Sequence, residues 1–300
     1  MVHSRMRVAM AQRTLDEAVA ELLRRSVPTA TERDAAKRHR ASVEAALAPL
    51  APLALQETGS FHHGTGVRGY SDVDVLVSMP GPPPISADTA LARVKGALEA
   101  KFPYTAIRIS RPAVVVNFAG GDERWEIIPG YYQRQEQGSP VYRIPAPGGT
   151  WIETAPAAHL AYVNEQNASP SGGAKSLARL IKAYKYANGG GFRVSSFYLE
   201  MRAAQHMANE TLFVPTIDFL YLAERLVSNS LSAMNDPTQI TGRIHAASTD
   251  SYRLEALSRL RGDAQRTREA LELEKQGKRD EAFAKMAYVF VGSTFPSRYF

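Results

Sequence analysis

Apolar positions in the first fifty residues recur every three or four places. Leu15, Val19, Leu22 and Leu23 predict an amphipathic helix that ends near Ser26-Val27-Pro28. Thr31 is suited to cap a second helix running through Ala48, with Glu32 and Asp34 at the positive end of its dipole. After Pro52 the period changes. Residues 53–57 read as a strand, a Gly-rich turn follows, and Val73, Val75 and Val77 then alternate with Asp72, Asp74 and Leu76. Pro80-Gly81-Pro82-Pro83-Pro84 is a loop, and residues 87–100 form a helix with Leu91, Val94 and Leu98 on one face. Residues 113–118 and 124–128 are β-rich, and Ala119-Gly120-Gly121-Asp122-Glu123 between them predicts a hairpin. Residues 141–144 and 151–154 add candidate edge strands. From Pro156 onward the pattern is helical, over 156–166, 173–188, 195–208, 217–233, 251–275 and 279–291. Gly189-Gly190-Gly191 ends one of these helices and Gly277 separates the last two.

Mixed α/β pattern followed by all-α pattern predicts two lobes, residues 1–155 and 156–300, with a cleft between them. The 300 residues are 44% hydrophobic, which is too much apolar material for a disordered chain. Cysteine is absent, so disulfides, thiolate metal sites and cysteine nucleophiles are excluded. No apolar stretch approaches the roughly 20 residues that cross a bilayer. Arg5, Arg7, Arg13, Asp16 and Glu17 interrupt the N-terminus, so it has no apolar core like that of a secretory signal. A cytoplasmic protein with no membrane partner is expected.

The net charge is +6, spread thinly. Residues 1–50 hold nine Lys/Arg against six Asp/Glu, 51–150 hold nine against nine, and 151–300 hold eighteen against fifteen. Proteins that coat duplex nucleic acid carry a heavier basic stripe, so no duplex partner is expected. One local run stands out: Lys175, Arg179, Lys182, Lys185 and Arg193 fall between Glu165 and Glu200 with no acid among them. A solvated helix face accounts for such a run equally well.

The chemistry concentrates in Gly59-Ser60-Phe61-His62-His63-Gly64-Thr65-Gly66-Val67-Arg68-Gly69-Tyr70-Ser71-Asp72-Val73-Asp74. Asp72 and Asp74 are two apart in a run otherwise Val and Leu. In a strand both carboxylates leave one face, roughly 6–7 Å apart. Two unpaired carboxylates beside an apolar core repel and are costly to desolvate. A divalent cation removes that cost, and an oxygen-only ligand set points to Mg²⁺ or Mn²⁺. Ahead of them, Gly59-Ser60 and the Gly-rich turn let backbone N–H groups and a small hydroxyl approach a polyphosphate. Glu126, set among large apolar residues in Arg124-Trp125-Glu126-Ile127-Ile128-Pro129, supplies a third carboxylate. Three carboxylates can hold two metal ions about 4 Å apart for in-line nucleotidyl transfer. Taken singly, Asp72-x-Asp74 also fits an exposed strand face, and Glu126 a salt bridge to Arg124 or Arg108.

Gly59-Ser60-x-x-x-Gly64-Thr65, then Ser71-Asp72-x-Asp74, resembles the signature of the polymerase-β-like nucleotidyltransferases. Within that superfamily it is most similar to the bacterial cyclic-oligonucleotide synthases related to cyclic GMP–AMP synthase and oligoadenylate synthase. Glu126-Ile127-Ile128-Pro129 is similar to their third-acid strand, and 177–185 to the basic helix that opens the second lobe. Ser195-Ser196-Phe197-Tyr198-Leu199-Glu200 is similar to the helix start that follows, and Phe290-Val291-Gly292-Ser293-Thr294-Phe295-Pro296 to the closing segment, with Val in place of the residue before Gly. The resemblance implies an α+β fold: a nucleotidyltransferase core of mixed sheet and flanking helices, plus an all-α second lobe. It implies Asp72, Asp74 and Glu126 as catalytic metal ligands for two Mg²⁺, with Gly59, Ser60, Thr65, Ser71, Lys182, Lys185 and Ser196 about the nucleotide. Thr154 resembles the lid position facing the incoming base, and Tyr198 is a candidate stacking surface. His62 and His63 lie off the carboxylate strands and are not counted as ligands.

The leading expectation is a template-independent synthase that joins nucleoside triphosphates, ATP among them, and closes a cyclic di- or trinucleotide. The resemblance sets it in bacterial antiphage signalling, where the product activates an effector, and a monomer is expected. Transfer of one nucleotide to a small molecule, a protein or an RNA end stays open beside it, as does a degenerate nucleotide sensor.

Overall fold

A computed structural model describes residues 12–70, 72–118, 123–170, 172–291 and 295–299. Ser71, residues 119–122 of the expected hairpin turn, and 292–294 of the closing segment lie outside the described residues. The strands are β1 (Ala54–Thr58), β2 (Val73–Met79), β3 (Ala106–Ser110), β4 (Ala113–Phe118), β5 (Glu123–Glu136), β6 (Ser139–Pro145) and β7 (Trp151–Thr154). They form one sheet of order β1-β2-β5-β4-β3, with β6 on β5 and β7 on β6. Only the β2–β5 pairing is parallel among these described pairs, and β4–β5 is the expected antiparallel hairpin.

The period-2 pattern decides which face is which. Val73, Val75 and Val77 of β2 pack with Trp125, Ile127 and Tyr131 of β5 and with Val114 and Val116 of β4. This layer is covered by α3 (Arg40–Leu47) and α5 (Ala87–Lys101). The stripe Ala90, Leu91, Val94 and Leu98 of α5 seats on it. By parity, Asp74, Leu76, Glu126 and Ile128 take the opposite face, where Leu76 packs with Tyr142 and Ile144.

The remaining helices are α1 (Leu15–Arg25), α2 (Ala30–Arg38), the short α4 (Gly59–His63), α6 (Pro156–Ala168), α7 (Ala174–Asn188), α8 (Ser196–Met207), α9 (Pro215–Ser228), α10 (Asp250–Lys275) and α11 (Arg279–Val289). Helices α7 to α11 share one apolar core that includes Tyr184, Phe192, Phe219 and Phe290.

Three expectations differ from the structure. Leu15, Ala18, Val19 and Leu22 of α1 belong to the helical core rather than to the sheet's layer. Arg13 N donates to Arg298 O at 2.8 Å, so this end of the chain runs beside residues 297–299. Thr31 does not cap the second helix. Glu32 bonds the backbone N–H and hydroxyl of Thr29 at 2.7 and 2.9 Å, which sets the cap two residues earlier. That helix then divides at His39, whose ring stacks on Phe118 with centroids 4.0 Å apart. Finally, β3 was not foreseen, and β5 runs eight residues past the expected end at 128.

Candidate active site

Parallel pairing of β2 with β5 sets Asp74 directly opposite Glu126 and Val73 opposite Trp125. The next step of that register brings Asp72, which immediately precedes β2, beside Arg124. All three acids therefore converge on one end of the face turned away from α5. They line the floor of a cleft of about 1590 Å³ whose far wall comes from α6, α7, α8 and the segment 241–248. Pockets for single drug-sized ligands measure roughly 300–1,000 Å³, so the cleft has room for more than one nucleotide.

The Gly59-Ser60 pair owes its identity to close approach. Gly59 sits at φ +68°, and a Cβ there would lie 1.8 Å from Asp74 Oδ2. Any larger residue would thus occupy the Asp74 carboxylate's own place. The Ser60 backbone N–H at the start of α4 donates to that carboxylate.

Electrostatics separates these acids from ordinary surface carboxylates. Burial pushes the Asp74 carboxyl well above its usual range, and the neighbouring Glu126 and Asp72 charges push the same way. Burial raises Asp72 to about 6, partly offset by the Arg124 guanidinium. Arg124 donates to Glu126 Oε1 and lies 3.5 Å from Asp72 Oδ2. Across the cleft, burial and the nearby Lys182 lower Lys185 to about 8. Its Nζ donates to Ser196 Oγ at 2.6 Å.

Of the residues expected at the nucleotide, Gly59, Ser60, Thr154, Lys182, Lys185 and Ser196 line the cleft with the three acids. Lys182 meets the cleft with its charge already engaged, and Thr65 and Tyr198 lie off it. Lys182 is only 2% exposed. Its ammonium is bound to the Glu200 carboxylate and donates to Thr65 Oγ1 at 2.9 Å, so its charge is already paired where it meets the cleft. Thr65, fully buried, donates to Glu200 Oε2 at 2.6 Å and does not reach the cleft. Tyr198 is also fully buried, with its hydroxyl on Ser232 O at 2.9 Å, so it offers no face to a base.

Several cleft residues escaped the sequence reading. Glu200 gathers Lys182, Thr65 and His63, whose Nδ1 must donate because a carboxylate only accepts. These partners hold the Glu200 carboxyl well below the usual range despite its burial. The aromatic surface is supplied by Tyr70 and Tyr186, stacked with centroids 4.5 Å apart at the cleft. Arg179 fastens the Gly-rich turn by donating to Gly66 O at 3.0 Å, so the basic run of α7 is more than a solvated face.

A mixed sheet carrying three convergent acids, with a helical lobe across a nucleotide-sized cleft, defines a bilobed nucleotidyltransferase architecture. The family model described as "Second Messenger Oligonucleotide or Dinucleotide Synthetase domain" matches residues 14–167, and the chain belongs to that family. It is accordingly a nucleotidyltransferase whose product class is the cyclic oligonucleotide second messengers. No curated protein matches the sequence. Among solved structures, E. coli CdnC with ATP is similar at TM-score 0.75 and 18% identity, covering 94% of this chain and 99% of that one. Bradyrhizobium diazoefficiens CdnG with GTP is similar at TM-score 0.68 and 16% identity, covering 92% and 98%. The Vibrio cholerae DncV cyclic AMP-GMP synthase, with a linear intermediate, is similar at TM-score 0.65 and 13% identity, covering 82% and 70%. Among the described residues no helix is long and apolar enough to cross a membrane.

Proposed function

We propose that this chain condenses nucleoside triphosphates without a template, in successive phosphodiester-forming steps, and closes a cyclic di- or trinucleotide. The observation that carries this reading is the convergence of Asp72, Asp74 and Glu126 at the floor of a cleft large enough for two nucleotides. The residues fit divalent cations: the donor set is all oxygen, Asp74 is desolvated among like charges, and Gly59 makes room for the Asp74 carboxylate where a Cβ would collide with it. Asp72, Asp74 and Glu126 would hold Mg²⁺, or Mn²⁺ in its place. Two such ions, when bound, lower the pKa of an attacking ribose hydroxyl and neutralise charge on the departing pyrophosphate.

The chain's own residues do the rest. Ser60 and the turn about it line the cleft beside the acids and orient the phosphates at short range. Lys185, backed by Ser196, meets the triphosphate from the helical lobe. Thr154, which lines the cleft, would face the base, and Tyr70 with Tyr186 offers a stacking face. ATP and GTP, present in the CdnC and CdnG structures, are the substrates to try first. A product that activates an antiphage effector, in the cytoplasm, completes the reading.

Labelled NTPs with Mg²⁺, and separately with Mn²⁺, test it without any acceptor. Phosphatase-resistant product with the mass of a cyclic di- or trinucleotide is expected. Linear products alone, or labelling only after a separate acceptor is added, would overturn the cyclase reading.

A further inference from the structure

Arg124 and Glu126 are two apart on β5, so both leave it on the face of the cleft. The β2–β5 register that sets Asp74 against Glu126 brings Asp72 alongside Arg124. The result is one guanidinium shared by two carboxylates: Nη2 donates to Glu126 Oε1, and Nε lies 3.5 Å from Asp72 Oδ2. That Nε is shut off from solvent and yet makes no hydrogen bond. A fork with one arm unsatisfied is poor bidentate geometry, so the guanidinium serves here as a charge more than as a fitted donor. Lys182, fully buried, is spent on Glu200, and Lys185 reaches Asp72 only through its field.

We propose that Arg124 is a built-in counter-ion, occupying in the metal-free protein the place of positive charge that a divalent cation takes on loading. The inference rests on the metal reading above. A guanidinium on Glu126 and a divalent ion on the same carboxylate repel at short range in a half-buried cleft. Cation entry therefore requires Arg124 to leave Glu126. Metal alone binds weakly on this account. Metal arriving with a nucleotide binds well, because the polyphosphate supplies negative charge for both the ion and the displaced guanidinium. The acids are kept neutralised when no substrate is present, and metal affinity is coupled to nucleotide affinity.

Mn²⁺ binding to the full chain, by calorimetry and by loss of the free-ion paramagnetic signal, tests this without turnover. In the absence of nucleotide, Arg124→Gln is expected to bind Mn²⁺ about tenfold more tightly than the parent protein, while Arg124→Lys, which keeps a charge, stays closer to the parent. In EDTA the thermal midpoint of Arg124→Gln is expected to fall, and Mn²⁺ to restore it. With a non-hydrolysable ATP analogue present the tenfold gap is expected to narrow. Equal or weaker Mn²⁺ affinity in Arg124→Gln, with Glu126→Gln abolishing binding, would overturn the counter-ion role and leave the metal site standing. Mn²⁺ binding indifferent to Glu126→Gln would overturn both.

Discussion

Glu200, buried, and Asp74, half-buried, are carboxylates held at the two ends of α4 through His63 and Ser60, and the fold treats them in opposite ways. Glu200 receives an ammonium, a hydroxyl and an imidazole N–H, and its carboxyl is held well below the usual range. Asp74 receives one backbone N–H, faces Glu126 and Asp72, and its carboxyl is pushed well above. Lys182 is near both, yet it bonds only Glu200 among the acids and acts on Asp74 merely through its field. A protein able to satisfy one acid so fully has left the other short of positive charge. Strain of that kind belongs where a ligand is meant to supply the missing partner. The saturated cluster joins α4 to α7 and α8; the unsaturated one is the proposed place of chemistry.

The largest effect should come from removing the unsaturated acid. Asp74→Asn keeps the shape of the side chain and removes its charge. Cation stabilisation of the transition state is worth several kcal/mol, so turnover should fall by at least about 10³-fold. In EDTA the same variant should melt higher than the parent, because a desolvated charge is gone. The pH dependence has a definite sign. Asp72 titrates near 6 against an ordinary value of 3.8, so its protonated form favours the fold. Metal-free stability from this residue is full below about pH 4 and is lost as pH rises through about 6. Denaturant melts from pH 4 to 8, with and without Mn²⁺, would show the metal-free curve falling and the loaded curve level.

The saturated acid should respond the other way. Glu200→Gln leaves the Lys182 ammonium buried without a counter-charge, and breaking such a pair costs about 3–5 kcal/mol. The thermal midpoint should drop by roughly 10 °C. Adding Lys182→Met removes the stranded charge and should recover at least half of the loss. A double variant no more stable than Glu200→Gln alone would mean that the network is not the source of the stability.

The acids were legible in the sequence because chemistry and geometry agree on them. An acid at every second place of a Val/Leu strand has one stable explanation for its face, and Gly59 is demanded by the approach of Asp74 itself. Their partners were not legible. Lys182 and Lys185 are three apart on α7, and their spacing alone allows both to face the cleft. Rotation of the helix, fixed by packing of Leu177, Leu180 and Ile181, buries Lys182 on Glu200 at the back of the cleft and leaves Lys185 at its wall. Glu200 reads as one acid on an amphipathic helix until α4 is laid against it. Tyr198 and Tyr186 have equal claims as stacking surfaces on paper, and only burial separates them. The second half of β5 was hidden by Pro129-Gly130, which ordinarily punctuates a strand. Here Pro129 continues the parallel ladder opposite Val77, and a Cβ at Gly130 would come within 3.1 Å of Leu76.

Lys185 gives a smaller effect that still separates the two clusters. It lines the cleft, and with a pKa lowered to about 8 it is cationic at neutral pH and neutral above that value. Lys185→Met should raise KM for the triphosphate about tenfold, the worth of one charge-assisted hydrogen bond, with little change in melting. In the parent, KM should climb as pH passes 8, whereas Lys185→Arg should keep a level KM across that range because a guanidinium does not titrate there. A pH-independent KM in the parent would remove Lys185 from the phosphate contact.

The smallest effect tests the reassigned aromatic. Tyr198 packs without exposure in the helical core, and its hydroxyl bonds Ser232 O at 2.9 Å. Phe fits the same space, so Tyr198→Phe removes one neutral hydrogen bond and leaves a carbonyl to find another donor. A loss of about 1 kcal/mol in denaturant unfolding is expected, with KM for ATP and for GTP unchanged. Tyr186→Leu should act in the reverse sense, raising KM for at least one of the two nucleotides because it removes half of the stacked pair at the cleft while sparing the core. If Tyr198→Phe altered nucleotide preference and Tyr186→Leu did not, the stacking surface would have to be placed beyond the Tyr70–Tyr186 pair.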